Sequence, residues 1–234
     1  MLISVVIPAR NEERWLPVCL RALRLQPGGA DAEIIVVDHA STDRTAEVAR
    51  SFGAHVVRCH ERTIGAVRQA GVNAARGELV ASTDADTVVG ERWLLTIVEA
   101  FRADPELIAL HGPLDFMLEA RAHDRLLARH GWNAFHRAHA ALGLAMLSSA
   151  NFAVRRDALV RSGGFDTQLL SAEDVDLARR LVRLGRVRFD ERMTVSTSAR
   201  RLERQGYARF FSHHVTNFFS FHWRRTALPF ERVD

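Results

Sequence analysis

Leu79-Val80-Ala81-Ser82-Thr83-Asp84-Ala85-Asp86 sets a short apolar run directly against two carboxylates one residue apart. The run from Leu79 to Thr83 reads as a strand buried on both faces, which puts Asp84 and Asp86 at its carboxyl end. In an open parallel sheet that edge is where ligands bind. The same pattern recurs upstream. Leu2 to Ile7 is a continuous β-rich run followed by Pro8-Ala9-Arg10-Asn11-Glu12, Glu33 to Val37 is followed by Asp38-His39-Ala40-Ser41, and His55 to Arg58 makes a further strand. Helical spacing fills the gaps. Glu13 to Leu25 places Trp15, Leu16, Cys19, Leu20 and Leu23 on one face, with Pro17 tolerable only in the first turn. Asp43 to Phe52 is a second helix with Ser41 or Thr42 as its cap, and Ile64 to Ala75 a third. Such alternation implies right-handed crossovers and a parallel sheet. The expected fold is α/β, a mostly parallel central sheet flanked by helices. Residues 1–110 would form a Rossmann-like nucleotide-binding half and residues 111–234 an acceptor-binding half of one domain.

After Asp86 the rhythm changes. Glu91 to Arg102 reads as helix, Leu107 to Leu110 as strand, Leu118 to Leu142 as a long helical stretch and Asn151 to Arg155 as strand. A turn at Ser162-Gly163-Gly164-Phe165 precedes an amphipathic helix from Glu173 to Leu184. With 234 residues, 47% of them hydrophobic, the chain can bury a substantial core. Every basic residue is Arg, and the net charge is +4. That excess suits an anionic partner such as a diphosphate or a lipid head group. It is too small and scattered for nucleic acid, and no nucleic-acid module is visible. Cys19 and Cys59 read as buried thiols rather than a disulfide. The opening run reads as a strand rather than a leader. Ala138 to Val154 is interrupted by His139, Ser148, Ser149 and Asn151 and cannot supply the ~20 residues of a membrane span. A cytoplasmic protein without transmembrane helices is expected.

Two carboxylates at one strand tip can face a divalent cation together. Mg²⁺ or Mn²⁺ favours such hard oxygen ligands and completes its shell with diphosphate oxygens; as a Lewis acid it neutralises a leaving nucleoside diphosphate. Taken singly, a strand-end Asp is as readily a turn or a helix cap.

The order of motifs is more specific. The chain resembles inverting glycosyltransferases of family 2 through Val5 to Glu13, Val36 to Asp43 and Thr83-Asp84-Ala85-Asp86-Thr87, then Ala150 to Arg156, Gly163-Gly164-Phe165-Asp166 and Ala172 to Leu177, together covering roughly residues 1 to 200. The resemblance implies the GT-A fold, a nucleotide-sugar donor and Mg²⁺ or Mn²⁺ held by Asp84 and Asp86. Pro8, Ala9, Arg10 and Glu12 would line the nucleoside pocket, with Asp38 beside the base or ribose and Ala85 against the donor. Arg68 would approach the nucleotide, where its charge suits a diphosphate or a base carbonyl; a solvated helix surface is its other reading. His39 stands where many relatives carry a second acid, a departure that leaves the base open among UDP, GDP and dTDP, with a UDP-sugar as the default.

Inverting transfer needs the acceptor hydroxyl to lose its proton as it attacks, and a carboxylate within hydrogen-bond reach can take it. The resemblance assigns this role to Asp174, with Asn151 and Glu173 on the acceptor side. Acids at a helix start are also favoured by the dipole, and Asp176 is read that way. His136 and His139 share a helical face but lack a recognisable third zinc ligand; by resemblance, a late histidine among His213, His214 and His222 could reach the metal. The tail through Trp223 interleaves Arg with aromatics. It allows a packed helix, a dimer surface or an amphipathic helix peripheral to an anionic membrane, the last implying a lipid-linked acceptor. A sugar nucleotidyltransferase would want a Gly-rich loop after the first strand, and a dinucleotide oxidoreductase a G-x-G-x-x-G there; neither is present. A non-catalytic binding module remains the alternative from another class.

Overall fold

The computed structural model describes residues 1–117, 120–141 and 147–205. The chain opens on β1 (Ile3–Ala9) and steps outward through α1 (Leu16–Arg24), β2 (Glu33–Asp38), α2 (Thr45–Ser51) and β3 (His55–Arg58). Helix α3 (Ile64–Ala74) then carries it back to β4 (Leu79–Ser82), on the other side of β1. These strands pair in parallel. The reversal of direction leaves a crevice beyond the carboxyl ends of β1 and β4, the switch point at which open α/β sheets take ligands.

Next come β5 (Thr87–Val89), α4 (Trp93–Ala103), β6 (Leu107–His111) and β7 (Leu114–Phe116). A helical stretch follows, made of α5 (Ala122–Leu126), a π-helical segment (Leu127–Trp132) and α6 (Asn133–Ala141). The last elements are β8 (Phe152–Arg155), α7 (Arg156–Arg161), α8 (Glu173–Leu181), β9 (Arg186–Phe189), β10 (Val195–Thr197) and α9 (Arg200–Gln205). Strand β8 enters between β4 and β6, antiparallel to both, and β9 runs parallel to β6. The sheet of seven strands, ordered β3-β2-β1-β4-β8-β6-β9, is therefore mostly parallel, as the sequence predicts. A second, small sheet, β5-β10-β7, was not foreseen.

The strands alternate their side chains between two apolar layers, the period-two consequence of the pleat. Val5 and Ile7 face one layer with Leu16, Leu20 and Leu23 of α1 and Trp93 and Ile97 of α4. Val6, Ile35 and Val37 face the other, with Val67 and Val72 of α3 and Leu177 and Leu181 of α8. Pro17 falls in the first turn of α1, where its missing N–H costs nothing.

Local details differ from expectation. Neither Ser41 nor Thr42 caps α2; the Asp43 carboxylate accepts the Thr45 N–H at 2.9 Å, so the helix starts later. The stretch expected as one helix over 118–142 changes to wider π turns at Leu127–Trp132, a segment that carries Gly131. Cys59 lies one residue past β3, buried, and Cys19 is buried in α1. The tail aromatics, Tyr207 to Trp223, lie outside the described residues. No helix among the described residues is long and apolar enough to cross a membrane.

The contact of α3 with the sheet depends on Gly71. A Cβ there would clash with Val6 Cγ1, far inside normal carbon–carbon contact distance, and lie 2.9 Å from Val37 Cγ2. Gly71→Ala gains about 1 kcal/mol of helix propensity, but overpacking of this kind costs about 1–3 kcal/mol. Net destabilisation is expected in urea denaturation, and an unchanged midpoint would contradict this packing.

Candidate active site

The site is built at strand ends. After β1 the chain turns through Asn11, whose φ of 54° lies in the left-handed region, and after β2 through Ala40, with φ 52°. The two turns are sewn together. Asn11 N–H donates to Ser41 Oγ at 3.1 Å, Thr42 N–H to Asn11 Oδ1 at 2.8 Å and Glu12 N–H to Thr45 Oγ1 at 2.7 Å. Asp38 is buried, and its Oδ1 accepts the Ser41 N–H at 3.1 Å, which closes the second turn. His39 joins this edge to the next loop through Nε2 and the Glu61 carbonyl, 2.7 Å apart.

Beyond β4, Asp84 and Asp86 are both part-buried. The Arg68 guanidinium lies beneath them, only 3% exposed. It donates from Nη2 to Asp84 Oδ1 at 2.8 Å and from Nη1 to Ser82 Oγ at 2.7 Å and the Ser149 carbonyl at 3.3 Å, and its Nε lies 3.5 Å from Glu173 Oε1. Burial opposes the Arg68 charge, but Asp84 and Glu173 outweigh it and hold its pKa above the ordinary value. Glu173 and Asp174 open α8, directly after Ala172, a third non-glycine residue with left-handed φ, at 60°. Asp174 Oδ2 accepts the Ser149 N–H at 3.1 Å and Oδ1 the Val175 N–H at 2.9 Å. Burial raises the pKa of both acids; the charge of Asp174 adds to the rise at Glu173, and Arg68 opposes it at both.

On the other side of the crevice, Arg200 Nη2 is bonded to Glu12 Oε1 and lies 3.1 Å from Asp86 Oδ2. Burial raises the pKa of Glu12, against the pull of Arg200. Burial also raises Asp86, reinforced by the charge of Asp84. Carboxylates thus outnumber guanidiniums along this edge.

The family model of glycosyl transferase family 2 matches residues 4–162. The chain belongs to that family. It is 28% identical over 206 residues to the probable glycosyltransferase YdaM of Bacillus subtilis, covering 80% of this chain and 48% of that protein. It spans no more than about half the length of the curated relatives it matches. Among solved structures it superposes on the mannosyltransferase PcManGT of Pyrobaculum calidifontis, in complex with GDP-Man and Mn²⁺, with a TM-score of 0.72 at 23% identity, over 97% of this chain and 65% of that one. Staphylococcus aureus TarS, in complex with UDP-GlcNAc, superposes with a TM-score of 0.67 at 18% identity, over 85% of this chain and 58% of that one. The fold is that of GT-A glycosyltransferases, and residues 4–162 form a glycosyl transferase family 2 domain.

Within this family 2 framework several anticipated residues take unexpected places. Asn151, expected on the acceptor side, is fully buried. Its Oδ1 accepts Trp93 Nε1–H at 2.8 Å, and its Nδ2 donates to the Pro113 and Met193 carbonyls at 2.9 and 2.7 Å. The amide is consumed in joining the two sheets. Arg68, expected to reach a nucleotide, is committed beneath the strand tips to Asp84 and Glu173. Ala9 and Ala85 turn their methyls into the apolar layer beside α1, so their backbones alone could meet a donor. Pro8 and Arg10 are half-buried at the end of β1. Asp176 pairs with Arg180 at 2.5 Å, and both line a cleft of about 530 Å³ with Ser162, Gly163, Gly164, Asp166 and Leu169, apart from the paired acids. His139 is buried on α6, and His213, His214 and His222 lie outside the described residues. Ser149 and Arg200 were missed. Arg200 follows β10 as the recognised polar residues follow β1, β2 and β4, but β10 is only three residues long and shows no strand period, so the strand-end rule had nothing to act on.

The donor set suits a divalent cation. Glu12 Oε2 is buried without a hydrogen-bond partner, and the hard oxygens of Asp84 and Asp86 share one strand tip. Among the described residues no three His, Cys, Asp or Glu side chains form a ready metal cage. Mg²⁺ and Mn²⁺ sites that rely on one or two carboxylates take the rest of their shell from water and phosphate.

The raised Glu173–Asp174 pair makes stability depend on pH. The folded state holds protons that the unfolded state releases above the ordinary Glu value of 4.5, so unfolding free energy falls as pH rises from there. Glu173→Gln should flatten the slope measured by denaturation between about pH 5 and 8. An unaltered slope would remove Glu173 as its source.

Proposed function

We propose that this chain moves a sugar from a nucleoside-diphosphate sugar to an acceptor hydroxyl with inversion at the anomeric carbon, and that Asp174 takes the hydroxyl proton. One observation carries the reading. The single Arg68 guanidinium touches Asp84 with its fork and approaches Glu173 with its Nε, so the acids at the tip of β4 and those opening α8 stand one side chain apart. A donor diphosphate beside the first and an acceptor beside the second would bring leaving group and nucleophile to opposite faces of one sugar. On this reading residues 1–110 bind the donor and residues 111–234 supply the acceptor side.

Asp174 is suited to its task. Backbone N–H groups from Ser149 and Val175 fix its orientation, and its raised pKa makes it a stronger proton acceptor than an exposed carboxylate. Glu173 and Arg68 brace it from beneath. Asp84 and Asp86 would hold a divalent cation, which supplies Lewis-acid neutralisation of the leaving diphosphate when bound. Glu12 and Asp38 border the nucleoside, and the two sewn turns keep that wall rigid. The solved relatives contain GDP-Man with Mn²⁺ in one case and UDP-GlcNAc in the other. A donor of this class is therefore proposed, UDP-linked by default, with His39 beside Asp38 as the residue that bears on the base.

A thermal-shift screen of UDP-, GDP- and dTDP-sugars should find one nucleotide that raises Tm more strongly with Mn²⁺ present, because a ligand bound only by the folded state stabilises it. No shift with any of them would overturn the donor reading. In a donor-hydrolysis assay Asp174→Asn should lower turnover on the order of 10²–10⁴-fold while leaving the nucleotide-induced shift intact. Equal nucleotide release by both proteins would remove Asp174 as the base.

A further inference from the structure

The contact of Arg200 with two acids of the donor edge plays no part in the chemistry above, yet the fold builds it with care. Strand β10 pairs antiparallel with β5, setting Thr197 opposite Thr87 with their hydroxyls 3.0 Å apart. One residue on, Ser198 N–H donates to the Asp86 carbonyl at 3.1 Å, so the β10 end is locked to the strand tip. Ala199 and Leu202 are buried with Phe116 and Ala120, which anchors the start of α9. Arg200 then projects back over the edge. Its guanidinium bridges Glu12 and Asp86, with 32% of the side chain exposed.

This places a tethered positive charge against one of the two acids assigned above to the cation, and the inference rests on that assignment. We propose that Arg200 is a built-in counter-cation, which occupies Asp86 in the unloaded site and competes there with a bare divalent cation. It yields when the cation arrives together with a nucleoside diphosphate. Three considerations support it. Without a cation Glu12, Asp84 and Asp86 would repel one another at part-buried positions, and a guanidinium held by the chain relieves this at no cost in diffusion. Arg200 satisfies the edge only in part, because Glu12 Oε2 stays buried and unpartnered. A guanidinium fork matches phosphate oxygens as well as carboxylates, so an arriving diphosphate offers Arg200 a new partner when the metal takes its old one. Arg200 is on this account a positioning residue that couples metal loading to nucleotide loading.

The test is Mn²⁺ binding by the full chain without nucleotide, followed by the EPR signal of free Mn²⁺. Arg200→Met keeps the length of the stem and removes the charge. It should bind bare Mn²⁺ on the order of tenfold more tightly than the wild type, because an occluding state no longer competes. Saturating UDP or GDP should remove most of that difference. Equal or weaker binding of bare Mn²⁺ by a folded Arg200→Met protein, with folding checked by circular dichroism, overturns the proposal. Should that variant not fold, Arg200→Lys carries the same test, since a single ammonium cannot bridge both acids. It should bind Mn²⁺ several-fold more tightly, and unchanged affinity overturns the proposal. If wild-type Mn²⁺ binding in the presence of nucleotide depends on Asp86 but neither Arg200 variant gains affinity, only the counter-cation falls. If no protein binds Mn²⁺ with or without nucleotide, the metal reading falls with it.

Discussion

A guanidinium with 3% of its surface exposed can remain charged only among carboxylates and carbonyls, and Arg68 finds them on segments far apart in sequence. Its fork holds Asp84 and Ser82 at the tip of β4 and the Ser149 carbonyl before β8, while its Nε approaches Glu173 at the start of α8. Taking two charges out of water is expensive, and such pairs add little net stability compared with apolar packing. Removing one partner is far worse, because the other charge is left buried and alone. The cluster is therefore better understood as a constraint on position. It sets three segments in register at the crevice, whatever it adds to the free energy of the fold.

The left-handed residues extend that theme. Asn11, Ala40 and Ala172 are the non-glycine residues with positive φ among those described, and each lies at the edge of the same crevice. For an L-residue this backbone state costs roughly 1–2 kcal/mol. Asn11 recovers part of it by accepting the Thr42 N–H, whereas an alanine side chain has nothing to offer. Strain collected around one crevice is maintained by the surrounding packing, a distribution typical of working sites.

The strands that frame the crevice were legible because their apolar runs are long enough to show a period and are followed at once by polar residues. Asp38, Asp84 and Asp86 were found that way, and the helices between them by their apolar spacing. What stayed hidden depends on contacts across sequence distance. Asn151 lies in a recognisable motif, but nothing local says that Trp93, Pro113 and Met193 consume its amide. Arg68 is marked out by resemblance, but nothing local says that the fold buries it against Asp84 and Glu173. Strand β10 has three residues, too few for any periodicity, so neither the second sheet nor Arg200 could be read from it. The start of α2 moved because the Asp43 side chain binds the backbone two residues on, a local competition that favours a turn over an earlier helix start.

The pairing of β5 with β10 has a temporal consequence. The tip that carries Asp84 and Asp86 gains its hydroxyl link to Thr197 across 110 positions of chain. Closing so long a loop carries an entropic penalty that nearby contacts cannot repay in advance. During synthesis the parallel strands at the N-terminal end have their partners early, while the acids at their edge wait for a segment still inside the ribosome. The crevice is thus assembled last, and a chain interrupted midway would own most of a sheet without owning a site.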